Sequence, residues 1–323
     1  MFDNHHIKTV DAAQGKWRGI LLELNVPESH LRNKHGPCPM CGGKDRFRFD
    51  NKDGRGTYIC NNCGAGNGMD LALKFTGERF ADVARRIDAI VGNLKPEAPK
   101  PEMSQESSRA LLRKTFAESQ PISQNDLADK YLQSRGIGEM VYPKALRFAP
   151  KLKDGEGGIR PAMVAVVGVH GEKQAATLHR TFLSPSGGKA DMRSPRKLMP
   201  CEIPDGACVQ LSEYQGGPLG IAEGIETALS ASHLFNIPVW AALNAAMLQK
   251  WTAPEGCKEV AVFGDNDATF TGQAAAYALA RKIKLQGIEA TVHIPDQIGT
   301  DWNDELITEK PPQNTLTANI ERP

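Results

Sequence analysis

The stretch Val260-Ala-Val-Phe-Gly-Asp-Asn-Asp267 decides how this 323-residue chain is read. Val260 to Phe263 contain no polar alternation, which predicts a strand buried on both faces of a parallel sheet. What leaves the carboxyl end of such a strand lies at the edge where ligands bind. Asp265 and Asp267 are therefore expected at that edge. Upstream, Leu219 to Ala222 form a second apolar run that ends in Glu223-Gly224 and opens a helical pattern, giving Glu223 the same position on another strand. Three carboxylates gathered at one edge repel unless a cation compensates them, and hard cations take oxygen ligands. The reading is a magnesium site for phosphoryl transfer.

Strand and helix alternate on either side of this stretch. Val239 to Leu243 and Ala290 to Ile294 read as further strands, with one helix running through Phe235 and another through Gln286 that Gly287 stops. The pattern predicts an α/β domain over 216–310, a mainly parallel sheet flanked by helices. Asp301 and Asp304, in Gly299-Thr-Asp-Trp-Asn-Asp304, follow the last strand and bring carboxylates to the same edge. Asp and Asn are also common turn residues, and the shared edge is what favours a metal. Glu226 and Glu305 fall on helices and receive no role.

Ahead of this domain, 109–215 reads as a mixed α+β basic subdomain. Residues 109–136 are expected to be helical, with Ser123 to Asp126 as a capping box and Gly136 as a stop. Ala162 to Val169 and Ala175 to Leu183 read as a hairpin. After it, Arg180, Lys189, Arg193, Arg196 and Lys197 face a lone Asp191 in what reads as a loop. Residues 92–108, rich in Pro, Glu, Lys and Ser, read as a linker, and 311–323 as a tail.

The first 91 residues form the third block. Cys38-Pro-Met-Cys41 and Cys60-Asn-Asn-Cys63 can each make a knuckle, and together they give a tetrahedral thiolate site for one structural Zn²⁺. Between them, Arg46-Phe-Arg-Phe49 alternates as a strand with Arg46 and Arg48 on one face. Four thiolates fill the shell, so His35 is a bystander. Helices are expected over 9–25 and around Phe80 to Val91.

The formal net charge of +1 hides blocks of opposite sign. Residues 30–68 hold 7 Lys+Arg against 3 Asp+Glu, 109–215 hold 16 against 11, and 216–310 hold 6 against 12. Basic surfaces flanking an acidic metal centre suit a nucleic-acid partner. No apolar run approaches a membrane span. Four cysteines in two Cys-x-x-Cys pairs and three left over fit a reducing compartment, and the expected location is the cytoplasm.

Ile221-Ala-Glu-Gly-Ile-Glu-Thr-Ala-Leu229 with Gly264-Asp-Asn-Asp267 resembles the Toprim domain shared by primases, topoisomerases and some nucleases. Cys38-Pro-Met-Cys-Gly-Gly-Lys-Asp-Arg-Phe47 resembles the zinc ribbon of phage and plasmid primases of the satellite-phage alpha-protein type. Tyr131-Leu-Gln-Ser-Arg-Gly-Ile137, Arg160 to Met163 and His179 to Met199 resemble parts of a primase core. The resemblance covers most of 30–308. It implies a DNA primase acting in a bacterial host cell, making short RNA primers on single-stranded DNA from ribonucleoside triphosphates.

In that reading Glu223, Asp265 and Asp267 are catalytic, and together with Asp301 and Asp304 they hold Mg²⁺ or Mn²⁺. Glu223 either completes the metal shell or accepts the proton. Arg180, Lys189, Arg196 and Lys197 line the template and nucleotide path, and Arg46 and Arg48 contact template from the ribbon. The ribbon has four Cys where bacterial replicative primases use one His. No Gly-x-x-x-x-Gly-Lys-Ser/Thr loop occurs, so a helicase is expected on another chain. Two further readings are a non-catalytic nucleic-acid-binding replication accessory and a Toprim nuclease.

Overall fold

The structure, a computed structural model, describes residues 9–96, 103–138 and 142–309. The central part of the expected linker and the expected tail lie outside the described residues. The chain divides into two compact units, Met1–Met103 and Ser104–Pro323.

In the first unit, α1 (Thr9–Ala12) and α2 (Trp17–Glu23) precede a four-stranded antiparallel sheet. Its strands are β1 (Gly36–Cys38), β2 (Gly42–Phe49), β3 (Tyr58–Cys60) and β4 (Gly64–Gly66), and α3 (Gly68–Thr76) and α4 (Phe80–Val91) follow. The single helix expected over 9–25 is two helices, because Gly15 between them takes φ 76°. The predicted alternation on β2 holds: Phe47 and Phe49 are buried in one cluster with Trp17, Leu71 and Ile87, while Arg46 and Arg48 are partly exposed. Gly68, at the start of α3, leaves no room for a side chain, since a Cβ there would stand 2.0 Å from the Trp17 ring.

The second unit begins with α5 (Gln105–Ala117), β5 (Gln120–Pro121), α6 (Leu127–Ser134), β6 (Leu146–Lys153), β7 (Ile159–Val167), β8 (Thr177–Phe182) and β9 (Arg196–Leu198). The five strands pair antiparallel in sequence order. The predicted hairpin is β7–β8. Three expectations are corrected here. The helix expected over 109–136 is two helices, with β5 between them. The cap of α6 is Asp126, whose carboxylate accepts from the N–H groups of Ala128 and Asp129, and Ser123 only donates its N–H to it. The basic loop contains β9, an edge strand that pairs Arg196 with Thr181 and Lys197 with Arg180.

The remaining elements are β10 (Leu219–Ala222), α7 (Ile225–Phe235), β11 (Val239–Ala241), α8 (Ala245–Lys250), β12 (Glu259–Phe263), α9 (Thr271–Leu285), β13 (Glu289–His293) and α10 (Trp302–Glu309). All four strands run parallel in the order β11-β10-β12-β13. β10 and β12 are buried on both faces apart from Glu259, as their unbroken apolar runs require. Gly220 on β10 is needed for close strand packing, because a Cβ would lie 2.5 Å from Val239.

The two sheets are stitched by residues 208 and 209, since Cys208 bridges to Gly168 and Val209 to Ala241. Tyr131, Leu146, Met163, Ala222, Ile225, Phe263 and Leu306 belong to one buried cluster. The antiparallel and parallel sheets therefore share a core. Among the described residues no helix is long and apolar enough to cross a membrane.

Candidate metal centres and cationic face

The thiolate site is built by two turns. β1 and β3 end in Cys38 and Cys60, and each chain doubles back within three residues. The Met40 N–H points at Cys38 Sγ (3.4 Å), and the Cys63 N–H at Cys60 Sγ (3.3 Å). Sγ–Sγ distances are 3.9 Å for Cys38–Cys63 and 3.7 Å for Cys41–Cys60, with all four sulfurs within 4.8 Å of one another. A tetrahedron of sulfurs about 2.3 Å from zinc has edges of about 3.8 Å, so the set fits Zn²⁺.

Without a cation the four groups resist joint ionisation. Burial pushes Cys38 up to about 11 and Cys63 higher still, while in Cys41 hydrogen bonds from Cys63 and Cys38 outweigh the cost of burial and lower it to about 7. His35 Nδ1 lies 2.9 Å from the Asp45 carbonyl, outside the sulfur set. Metal removal is thus expected to open this sheet. Limited proteolysis after chelation should show new cleavage within 33–69, and zinc should reverse it.

The acidic edge lies in the second unit. Ala222 pairs with Phe263, so Glu223 and Gly264 leave adjacent parallel strands side by side. Adjacent strands are about 4.8 Å apart, which sets Glu223 near the Asp265–Asp267 turn. Two glycines let that turn fold back on α9. A Cβ on Gly264 would lie 3.2 Å from the Gly272 carbonyl, and one on Gly272 would lie 2.6 Å from the Asp265 carbonyl. Asp267 Oδ2 accepts from the Gly272 N–H at 3.0 Å.

Asn266, the middle residue, clamps the neighbouring loop. Its amide donates to Pro295 O (2.7 Å), its N–H to Thr300 O, and its carbonyl accepts from the Gly299 N–H. That clamp brings Asp301 to the site. Burial pushes Asp265 up to about 8, and Glu223, Asp301 and Asp267 push in the same direction. Burial, then Asp267, pushes Glu223 up to about 7. Asp265 Oδ1 is buried with no hydrogen-bond partner.

These carboxylates feel one another without closing on one point. Among the described residues only the four cysteines place three or more ligand atoms within 4.8 Å. An open set of oxygens matches magnesium, which keeps several waters and binds through one or two carboxylates plus phosphate oxygens. Asp304 differs from Asp301. Its Oδ2 accepts from the Asp301 N–H while Asp301 Oδ1 accepts from the N–H groups of Asn303 and Asp304, a reciprocal cap that starts α10.

The cationic residues sit on β8, β9 and the loop between them. Arg196 is exposed and counteracts the upward shifts of both Glu223 and Asp265. Lys189 pairs with Glu226 at 3.5 Å and lies over the Tyr131 ring. Arg180 is lowered by burial and its Nε is buried without a partner. Lys197 is turned elsewhere: its Nζ bonds Asp154 O at 2.7 Å and Glu156 Oε1 at 2.8 Å in the β6–β7 turn. In the first unit, Arg48 pairs with Asp50 at 3.5 Å.

Sequence reasoning missed three residues. Glu226, given no role, is a buried carboxylate that accepts from the Tyr131 hydroxyl and faces Lys189. Despite the upward push of burial, Lys189, Tyr131 and Arg196 hold it down at about 2. His179 is buried, with its pKa lowered by burial to about 4 and Nδ1 unpartnered, and Arg135 has a buried unpartnered Nε. The strand alternation that turns residue 179 opposite to residue 180 was the available signal.

Residues 218–311 match the family model of the Toprim domain, 33–69 that of the zinc-binding domain of primase-helicase, and 106–210 that of a domain of unknown function, DUF7146. Among solved structures the chain is similar to the zinc-binding and RNA polymerase domains of the Aquifex aeolicus primase, at 15% identity over 94% of this chain and 83% of that one, TM-score 0.42. It is similar also to the primase fragment of the bacteriophage T7 primase-helicase, at 16% identity over 85% and 98%, TM-score 0.38. A third is the RNA polymerase domain of the Mycobacterium tuberculosis primase, at 14% identity over 64% and 80%, TM-score 0.39.

Proposed function

We propose that this chain, which carries a Toprim domain behind a zinc-binding domain of the primase-helicase kind, is a DNA primase that joins ribonucleotides on single-stranded DNA. The observation that carries the reading is the mutual electrostatic contact of Glu223, Asp265, Asp267 and Asp301 beside parallel strand ends, with Arg196 in reach of the same group. In the reaction the 3′-hydroxyl of one nucleotide attacks the α-phosphorus of the next, and pyrophosphate leaves.

Asp265, Asp267 and Asp301 would hold Mg²⁺ or Mn²⁺. Bound there, the cation lowers the pKa of the attacking hydroxyl and neutralises charge on the phosphates. Glu223, raised by burial and by Asp267 beside it, would accept the hydroxyl proton. The partly desolvated Arg180 and Lys189 and the exposed Arg196 would face the triphosphate and template backbone, where charge-assisted hydrogen bonds to phosphate are strong. Arg46 and Arg48 on the ribbon contact the template.

The test is incubation with single-stranded DNA, labelled ribonucleotides and magnesium. Short RNA is the expected product, and Glu223→Gln should abolish it while leaving DNA binding and Mn²⁺ affinity largely intact. A parallel loss of Mn²⁺ affinity would make Glu223 a ligand instead of the proton acceptor. Cleaved DNA in place of RNA would indicate a nuclease, and neither product would indicate a binding protein. Either result overturns the proposal.

A further inference from the structure

Strand β13 is the outer strand of the parallel sheet. Its register with β12 is unbroken from Glu289 to His293, and its inward hydrogen bonds include the Glu289 N–H to Lys258 O and His293 O to the Gly264 N–H. In a parallel ladder the alternate residues, Ala290 and Val292, then turn their N–H and C=O groups away from the sheet. Sheet edges are usually blunted by charge, proline or a bulge. Ala290-Thr-Val292 carries none of these.

Beside this edge α9 presents Tyr277, Arg281 and Leu285 at helical spacing, so they form one stripe. Tyr277 is 61% exposed and Leu285 72%. With Ala290 and Val292 they line a groove of about 570 Å³. One wall is apolar and cationic, and the other offers backbone hydrogen-bonding groups.

We propose that this edge takes an extended segment of a partner protein as an added strand, with alternate apolar side chains in the groove and a carboxylate opposite Arg281. Strand addition draws affinity from main-chain hydrogen bonds and specificity from pockets for alternate side chains. Charge selects the occupant. Lys284 is already paired with Glu289 at 2.6 Å, which leaves Arg281 as the charge on this wall; a second copy meeting edge to edge on a two-fold axis would bring Arg281 from both sides, whereas an acidic segment complements it. The inference is independent of the reaction assigned to the carboxylates.

The test is binding of the full chain to an array of nonapeptides with apolar residues at alternate positions and Asp/Glu, Lys or Ser between them. The acidic set should be retained at least fivefold over the lysine set. Ala290→Pro removes only an outward N–H, which an edge strand tolerates, and should abolish retention. Arg281→Glu, a surface change, should reverse the charge preference. Both variants should melt like wild type and keep any primer synthesis. The proposal is overturned if no set is retained, or if both variants retain the acidic set unchanged. It is also overturned if the chain alone forms dimers that Ala290→Pro disrupts, or if retention appears only after residues 310–323 are deleted. Those last two results would assign the edge to a second copy or to the chain's own carboxyl terminus.

Discussion

Asp265→Asn should abolish primer synthesis and at the same time stabilise the metal-free protein at pH 8. Losing even an outer partner of a metal ligand costs about 10- to 100-fold, so losing a ligand should lower the rate at least about 100-fold. The stability gain has the opposite sign because of the site's electrostatics. Burial and then Glu223, Asp301 and Asp267 hold Asp265 at about 8, above its ordinary 3.8.

A carboxyl raised in this way favours the folded state fully at pH below 3.8, and the penalty for ionising it grows until the pH passes 8. The amide carries no such penalty. The expected gain is on the order of 2 kcal/mol at pH 8, or about 4–8 °C in Tm, and should vanish near pH 4. Saturating Mg²⁺ should close the gap by stabilising the wild type alone. Thermal melts of both proteins at pH 4 and 8, with and without Mg²⁺, check this. A variant less stable than wild type at pH 8 without metal would remove the argument for an electrostatically loaded edge.

Glu226→Ala should destabilise the second unit strongly. Glu226 is buried, accepts from the Tyr131 hydroxyl and pairs with Lys189. Burial already pulls Lys189 down with Glu226 beside it, so removing the carboxylate leaves a partly buried cation and a buried hydroxyl unpaired. Breaking such a pair costs about 3–5 kcal/mol; even the lower value is roughly 6–12 °C in Tm.

The pH dependence is opposite to that of Asp265. Glu226 is held at about 2, below its ordinary 4.5, so its contribution is complete above pH 4.5 and is lost as the pH falls through 2. The gap between wild type and variant should therefore narrow in acid. Glu226→Gln, which keeps an acceptor for Tyr131, should fall between the two in urea unfolding at pH 7. Equal stability of Glu226→Ala and wild type would show that Lys189 has other compensation.

The parts of this molecule legible in its sequence are those fixed by short-range pattern. Leu219–Ala222 and Val260–Phe263 are apolar without interruption and stop at Glu223-Gly224 and Gly264-Asp265, so both the parallel strands and the acids at their ends could be read. The cysteine spacing is equally local. What stayed hidden depends on distant partners. β6 contains Pro150 and three basic residues, and it is a strand because β7 pairs along it. β9 follows Pro195 and reads as a charged loop until β8 supplies its hydrogen bonds.

Glu226 looked like a solvated helix residue, yet Tyr131, 95 residues away, comes to meet it. Lys197 shows the converse, since a basic residue read as facing phosphate is tied to Asp154 and Glu156. Asp301 and Asp304 have the same spacing logic in sequence, but only the loop held by Asn266 separates the one that raises Asp265 from the one that closes the α10 cap.

The central claim is that these carboxylates jointly hold a divalent cation in competition with protons. Titration of Mn²⁺ into the zinc-loaded protein, followed by electron paramagnetic resonance at pH 6 and pH 8, tests it most directly. Saturable binding is expected, at least about tenfold tighter at pH 8 because the proton leaves Asp265, held near 8, and lost in Asp265→Asn. Binding of equal strength at the two pH values, or binding that survives Asp265→Asn, would contradict it.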